Sequence, residues 1–256
     1  WLRTFLSLKN GIPSHDTFGR VFSLLDPQEF QKCFAGWVQA VHERVQGVVA
    51  IDGKTVRRSH DRRQGKQAIH VVSAWATQSG IALAQKKVDA KSNEIGAIPE
   101  LLSLLRIKGC LVTIDAMGCQ REIAQAINGA GADYLLAVKD NQPTLREDVE
   151  QEFRLAQQNG FALMDHQYFE TVEKDHGRIE QRKYWITQDV QGIGTGEKWP
   201  NLAAMAMCRA MRTVNGQTST EDRFFITSRK SADAEGIAAA IRAHWRVENS
   251  LHWVLD

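Results

Sequence analysis

From residue 13 to 46, apolar side chains recur every three or four positions. Phe18, Val21, Phe22 and Leu25 fall on one face of a first helix that Ser14 can cap. Phe30, Phe34, Val38, Val41 and Val45 share a face of a second helix, which restarts near Asp26 with Pro27 in its first turn. From residue 47 the pattern changes. VVAI (48–51) is a short continuous apolar run, and AIHVVSAWAT (68–77) and IALAQKKVD (81–89) follow, joined by the turn QSG. Three such runs separated by short turns predict strands in an antiparallel meander. Helical and strand patterns then alternate. NEIGAIPELLSLL is a helix, CLVTIDA (110–116) a buried strand, REIAQAINGAG a helix closed by glycine, ADYLLAVK (132–139) a buried strand, and PTLREDVEQEFRLAQQ a helix with Pro143 in its first turn.

Beyond residue 165 the strand pattern returns. HQYFETVEKDHGRIEQRKYWIT predicts a long hairpin around HG, and LAAMAMCRAMRTV and TEDRFFITS predict two further strands. DAEGIAAAIRAHWRVENSLHWVLD is one helix, or two in succession. From residue 47 the order is β-β-β-α-β-α-β-α. Antiparallel strands come first, then strands alternating with helices, and a mixed sheet of this kind carries helices on both faces. The order is the one found in the RNase H-like fold. The expected architecture is therefore α/β. A helical N-terminal segment (1–46) precedes the first part of an RNase H-like core (47–164). A β-rich insertion (165–230) follows, and a last helical element (231–256) completes the core.

Composition changes this picture little. Hydrophobic residues make up 43% and charged residues 24% of 256 positions, ordinary for a soluble globular chain. The net charge of +2 does not announce a nucleic-acid partner, although a sum hides local patches. Cys33, Cys110, Cys119 and Cys208 form no CxxC pair and read as reduced structural thiols of a cytoplasmic protein. No apolar run approaches the ~20 residues of a membrane span. The chain opens on Trp1 and closes on LHWVLD, so both ends are expected to be cut within a longer protein.

The candidate chemistry lies at the strand ends. Asp52 follows VVAI and Asp115 follows LVTI, and each precedes a small residue, Gly53 or Ala116. A carboxylate entering a core strand is costly unless it is paired, hydrogen-bonded or bound to a cation. DG is also a common turn signal, so Asp52 alone would say little. In the expected order the first and fourth strands lie side by side, which would bring both aspartates to one sheet edge. Two adjacent carboxylates repel, and a divalent metal relieves that repulsion. A pair of ions ~4 Å apart suits in-line phosphoryl displacement. Glu248 in RAHWRVENSLHW is a third carboxylate, sharing a helix face with Trp245 and His252. By periodicity it is either a solvated residue or a buried functional one. His70 is expected to be packed, and Trp245 and Trp253 to be packing groups.

The strings AIDGKTVRRS, HVVSAW, KSNEI, TIDAMGCQ, DYLLAVKDNQ and RAHWRVENSLHWVLD, in that order, resemble the H-repeat-associated type of DDE insertion-sequence transposase. The likeness runs from about Gly11 to the last residue. It implies a DDE triad of Asp52, Asp115 and Glu248 as metal ligands, with Mg²⁺ or Mn²⁺ as two ions. The intervals are 63 and 133 residues, the second long because it holds the β-rich insertion. It further implies DNA partners (element ends and target), a homo-oligomer on DNA, strand cleavage followed by strand transfer, and a bacterial protein at the nucleoid. Arg242, His244, Trp245 and Asn249 match the family's last helix. In the wider group a tyrosine and an arginine precede the glutamate, and here Ile241 and His244 occupy those spacings. The DNA-contact candidates are Lys54, Arg57, Arg58, Lys139, Asn141, Arg242 and Arg246. Lys54, Arg57 and Arg58, with Arg62, Arg63 and Lys66, form either a phosphate-binding stretch or a solvated loop. Two other readings fit the same residues: a catalytically inactive DNA-binding relic, and a metal-dependent nuclease without joining activity.

Overall fold

The computed structural model describes residues 2–41, 46–60, 65, 67–88, 94–175 and 177–253. The chain forms two units, Trp1–Glu43 and Arg44–Asp256. The first holds helices α1 (His15–Leu24) and α2 (Pro27–Val41). Ser14 caps α1 as expected, its Oγ accepting from the Thr17 N–H at 3.3 Å. Asp26 starts α2 by accepting from the N–H groups of Gln28 and Glu29 at 2.8 and 3.0 Å. Phe22 and Phe30 meet edge to face, with ring centroids 5.9 Å apart.

The second unit is built on one nine-stranded sheet among the described residues. Its strands are β1 (Val48–Thr55), β2 (His70–Ala76), β3 (Ile81–Val88), β4 (Leu111–Ile114), β5 (Asp133–Val138), β6 (Gln167–Asp175), β7 (Arg178–Thr187), β8 (Ala204–Val214) and β9 (Gln217–Thr227). Their spatial order is β3-β2-β1-β4-β5-β9-β8-β7-β6. The first three strands are the expected antiparallel meander, while β1–β4 and β4–β5 pair in parallel. The parallel joints need crossovers, which α3 (Glu94–Ser103) and α4 (Arg121–Gly129) supply. After α5 (Pro143–Gln158) the chain returns through β9, antiparallel to β5. The strands expected as an insertion therefore hydrogen-bond onto the free edge of β5 and lengthen the same sheet.

Side chains alternate between the two faces of a strand. Val48, Ala50 and Asp52 share one face of β1, and Leu111 and Thr113 share the corresponding face of β4. Helix α6 (Ala234–Val247) covers this face, burying Ile237, Ala238 and Ile241 among Leu111, Leu135, Phe225 and Tyr184. Ala50, Trp75 and Val247 close a second cluster beside it. Phe153 of α5 stacks on Phe224 of β9, on the opposite face from Phe225, with centroids 6.3 Å apart. Helices thus lie on both faces of the sheet. No helix among the described residues is long and apolar enough to cross a membrane.

The last helical element is continuous. Helix α6 passes directly into a π-helical turn, Glu248–His252, whose hydrogen bond reaches one residue further along the chain than in an α-helix. Leu251 packs against the Ala50 cluster and His252 is buried, so two consecutive side chains face the sheet. Trp253 is then carried outward and is 76% exposed, which corrects its expected role as a packing group. Trp245 is partly exposed, with the Arg223 guanidinium 4.9 Å from its ring centroid. None of the four cysteines forms a disulfide, and Cys110, Cys119 and Cys208 are buried.

Candidate active site

The β1–β4 register ends with Ile51 opposite Ile114. Asp52 and Asp115 are the next residues on these two neighbouring parallel strands. At that point the strands diverge in behaviour. β1 continues through Asp52 and Gly53 to Thr55, paired with β2 throughout, so the DG dipeptide makes no turn. Gly53 serves a different purpose. The Glu94 carboxylate, at the start of α3, lies so close that a Cβ on residue 53 would collide with it. β4 stops at Ile114, and Asp115 opens a short 3-10 turn, Ala116–Gly118. Its Oδ1 accepts from the N–H groups of Met117 and Gly118 at 3.1 and 3.3 Å.

Asp52 is half-buried, and its pKa is pushed up to about 7. Burial is the largest cause, followed by the charge of Asp115, with smaller contributions from Glu248 and Glu94. The Gly53 N–H, donating to Asp52 Oδ1 at 2.8 Å, opposes the rise. Asp52 Oδ2 lies 3.5 Å from His252 Nδ1. Glu248 sits exposed at the first position of the π-turn and faces the aspartates closely enough to repel Asp52. Four carboxylates from β1, the β4 end, α3 and the last helical element thus act on one locus. Among the described residues, no three His, Cys, Asp or Glu side chains are drawn together closely enough to grip an ion as they stand.

Histidines surround this locus. His70 is buried as expected, bonded through Nε2 to the Glu94 carboxylate and through Nδ1 to the Thr55 hydroxyl at 2.9 Å. His244 Nδ1 pairs with the Thr113 hydroxyl at 3.0 Å, two residues before Asp115. Burial lowers the His244 pKa, against an opposing pull from Asp115. His252 is not a site candidate by sequence, Glu94 is at most an extra acid near the site, and His244 is noted only as standing where the wider group has an arginine. The strings KSNEI and HVVSAW, and the spacing of His244, Glu248 and His252 four residues apart, were the available signals.

The basic candidates fall in different places. Lys54 is half-buried in β1, two residues after Asp52 and on the same face, and Arg57 and Arg58 are exposed beyond the strand. Arg58 has a left-handed φ of 59° in a loop closed by the Val56 N–H donating to the Ile69 carbonyl at 2.8 Å. Arg62, Arg63, Lys66, Lys91, Ser92, Asn93 and His176 lie outside the described residues. Lys139 is exposed just beyond β5, and with Arg223 it helps hold the Glu221 carboxyl below its usual range. Asn141 Nδ2 donates to the Ala116 carbonyl at 2.5 Å and Gln142 Nε2 to the Cys119 carbonyl at 2.9 Å. These two side chains tie the loop after β5 to the loop that carries Asp115. Arg242 is exposed and pairs with Glu173 at 3.1 Å, and Arg246 is exposed on the same helix.

Comparison with known proteins accounts for most of the chain. The family model described as the transposase DDE domain matches residues 43–256, and a DDE_Tnp_1-associated model matches residues 1–38. A Xanthobacter autotrophicus chain named "Uncharacterized protein in dhlA 3'region" is 48% identical over 89% of this chain and 76% of its own length. "Putative transposase YncI" of Escherichia coli O157:H7 is 45% identical over 100% of this chain and 66% of its own length. "H repeat-associated putative transposase YhhI" of Escherichia coli K12 is 42% identical over 100% of this chain and 68% of its own length. The chain thus spans about two thirds to three quarters of the length of these relatives. A piggyBac transposase in a synaptic complex with hairpin DNA shows a loose likeness, with a TM-score of 0.42 at 7% identity over 79% of this chain and 39% of that one. With the DDE model covering everything from residue 43 onward, this chain belongs to the DDE family of transposases.

Proposed function

We propose that the protein is a metal-dependent DNA transposase of RNase H-like fold, with Asp52, Asp115 and Glu248 as its metal ligands. The observation that carries this reading is the meeting of Asp52, within β1, and Asp115, just past the end of the neighbouring β4, where burial and mutual repulsion lift Asp52 to about 7. The strand order β3-β2-β1-β4-β5, with the first three antiparallel and the next two joints parallel, supports the fold. On this reading residues 47–164 and 231–256 are the catalytic core, and 165–230 an insertion carried on the same sheet.

The donor set fits a hard divalent cation. It is all carboxylate oxygen and partly exposed. When bound, two Mg²⁺ or Mn²⁺ ions supply the Lewis acidity that in-line displacement at phosphorus needs. The remaining work falls to the chain. Lys54, Arg57 and Arg58 leave the site along β1 and hold the phosphate backbone there, with Lys139, Arg242 and Arg246 on neighbouring elements. Asn141 fixes the turn that presents Asp115. Water cuts a phosphodiester and frees a 3′-hydroxyl, and that hydroxyl then attacks a target phosphodiester and displaces a second 3′-oxygen. DNA ends and target are the substrates, and a homo-oligomer on the DNA, in the bacterial cytoplasm, is the working form.

The test is a titration of Mn²⁺ into the parent and its Asp115→Asn variant, following thermal stability. The expected result is a rise in the parent that the variant loses. No rise in either would overturn the metal site and favour a DNA-binding relic. Labelled element-end DNA then separates the chemistry: joined products identify a transposase, and cut ends alone a nuclease.

A further inference from the structure

Glu248 stands midway between two histidines of the last helical element, four residues from each. Each histidine reaches a different aspartate-bearing strand. His244 Nδ1 is 3.0 Å from the Thr113 hydroxyl on β4, and His252 Nδ1 is 3.5 Å from Asp52 Oδ2 at β1. The π-turn makes the second reach possible. It turns His252 inward beside Leu251, where His252 is buried, while Glu248 stays exposed at the start of the same turn. Asp52 is thereby approached on both oxygens, with the Gly53 N–H on Oδ1 at 2.8 Å and His252 beside Oδ2.

We infer that His252 is a positioning residue. It sets the rotamer of Asp52 and, through the π-turn, fixes the distance between Asp52 and the Glu248-bearing helix, while His244 performs the equivalent anchoring on β4. On this reading neither imidazole meets the metal through Nδ1. The two nitrogens that face the strands are already turned to Thr113 and Asp52. The inference rests on the reading of Asp52 as a metal ligand, and groups that orient a ligand typically change metal affinity by ~10–100-fold when removed.

The experiment compares the parent, His252→Ala and His252→Asn. The asparagine amide can stand where the imidazole Nδ1–H does. Mn²⁺ affinity is read by electron paramagnetic resonance of the free ion, and melting temperature is read without metal. His252→Ala is expected to lose roughly tenfold or more in Mn²⁺ affinity. His252→Asn is expected to recover most of that loss, with the two variants melting alike. Equal affinities in parent and His252→Ala, or no recovery in His252→Asn, would overturn the inference. A metal-free readout keeps the two proposals apart. The ¹⁵N signals of the His252 imidazole are expected to move when Asp52→Asn is introduced. If the parent binds no Mn²⁺, the metal-ligand reading of Asp52 fails, and an unmoved His252 signal would remove the contact as well.

Discussion

The two halves of the nine-stranded sheet treat charge in opposite ways. At the β7–β9 end, acids and bases pair among themselves. Arg209 meets Asp222 at 2.6 Å, Arg223 meets Glu221 at 2.7 Å, and Arg182 pairs with both Glu173 and Glu180. At the β1–β4 end, Asp52 is pressed upon by Asp115, Glu248 and Glu94, and its proton is held to about pH 7. The first arrangement is self-sufficient and answers to solubility and strand pairing. The second gathers carboxylates beside one another at β1 and just past the end of β4, an arrangement that a bound cation would relieve. Imbalance of charge, more than its abundance, marks the candidate site.

Exchanging one carboxylate at each end should break the symmetry most strongly. Glu248→Gln is expected to reduce cleavage of element-end DNA by on the order of 10³-fold, while Asp222→Asn leaves it within about twofold. Equal losses would erase the distinction. Next in size is a pH effect on the metal-free protein. Asp52 has a folded pKa of about 7 against an ordinary value of 3.8, so between these limits the folded state keeps a proton that the unfolded chain has released. That contribution to stability is present at low pH and lost as pH rises through the window, up to about 4 kcal/mol. Denaturant melts of parent and Asp52→Asn should show the parent falling further behind as pH rises from 4 to 7, and Mn²⁺ should close the gap.

A smaller effect tests the underside of the site. Gly53→Ala is expected to cost about 1–3 kcal/mol, because its Cβ would strike the Glu94 carboxylate. In a double-mutant cycle with Glu94→Ala most of that penalty should vanish, and additive losses would show that the clash is not the cause. The smallest change belongs to the balanced end. Removing the exposed Arg209–Asp222 pair by Asp222→Asn should cost about 0.5 kcal/mol or less in denaturant melts, with a dependence on salt.

The apolar runs carried the order of the first five strands and their helices, because buried parallel strands such as VVAI and LVTI have no polar alternation to confuse them. The adjacency of Asp52 and Asp115 followed from that order. The attachment of β6–β9 to β5 was not legible, since alternation in a hairpin says which face is buried and nothing about which edge it joins. The π-turn was also hidden. VENSLHW has ordinary helical composition, and only the docking of Leu251 and His252 against the sheet reveals the extra residue. The Glu94–His70 contact links residues 24 apart in sequence, from β2 to the start of α3, and periodicity within either segment cannot report it. Gly53 looked like a turn former and proved to be the space that Glu94 occupies.

The sheet order also sets a timetable for synthesis. Asp52 and Asp115 can meet once β1 and β4 have been made, but β5 receives its outer neighbour only when β9 arrives, and α6 follows later still. A chain emerging from the ribosome therefore carries two of its three candidate ligands for more than half of its length before the third can dock. During that interval the β5 edge is open and the face destined for α6 is bare, which makes the nascent chain most vulnerable to wrong partners just before the candidate site closes.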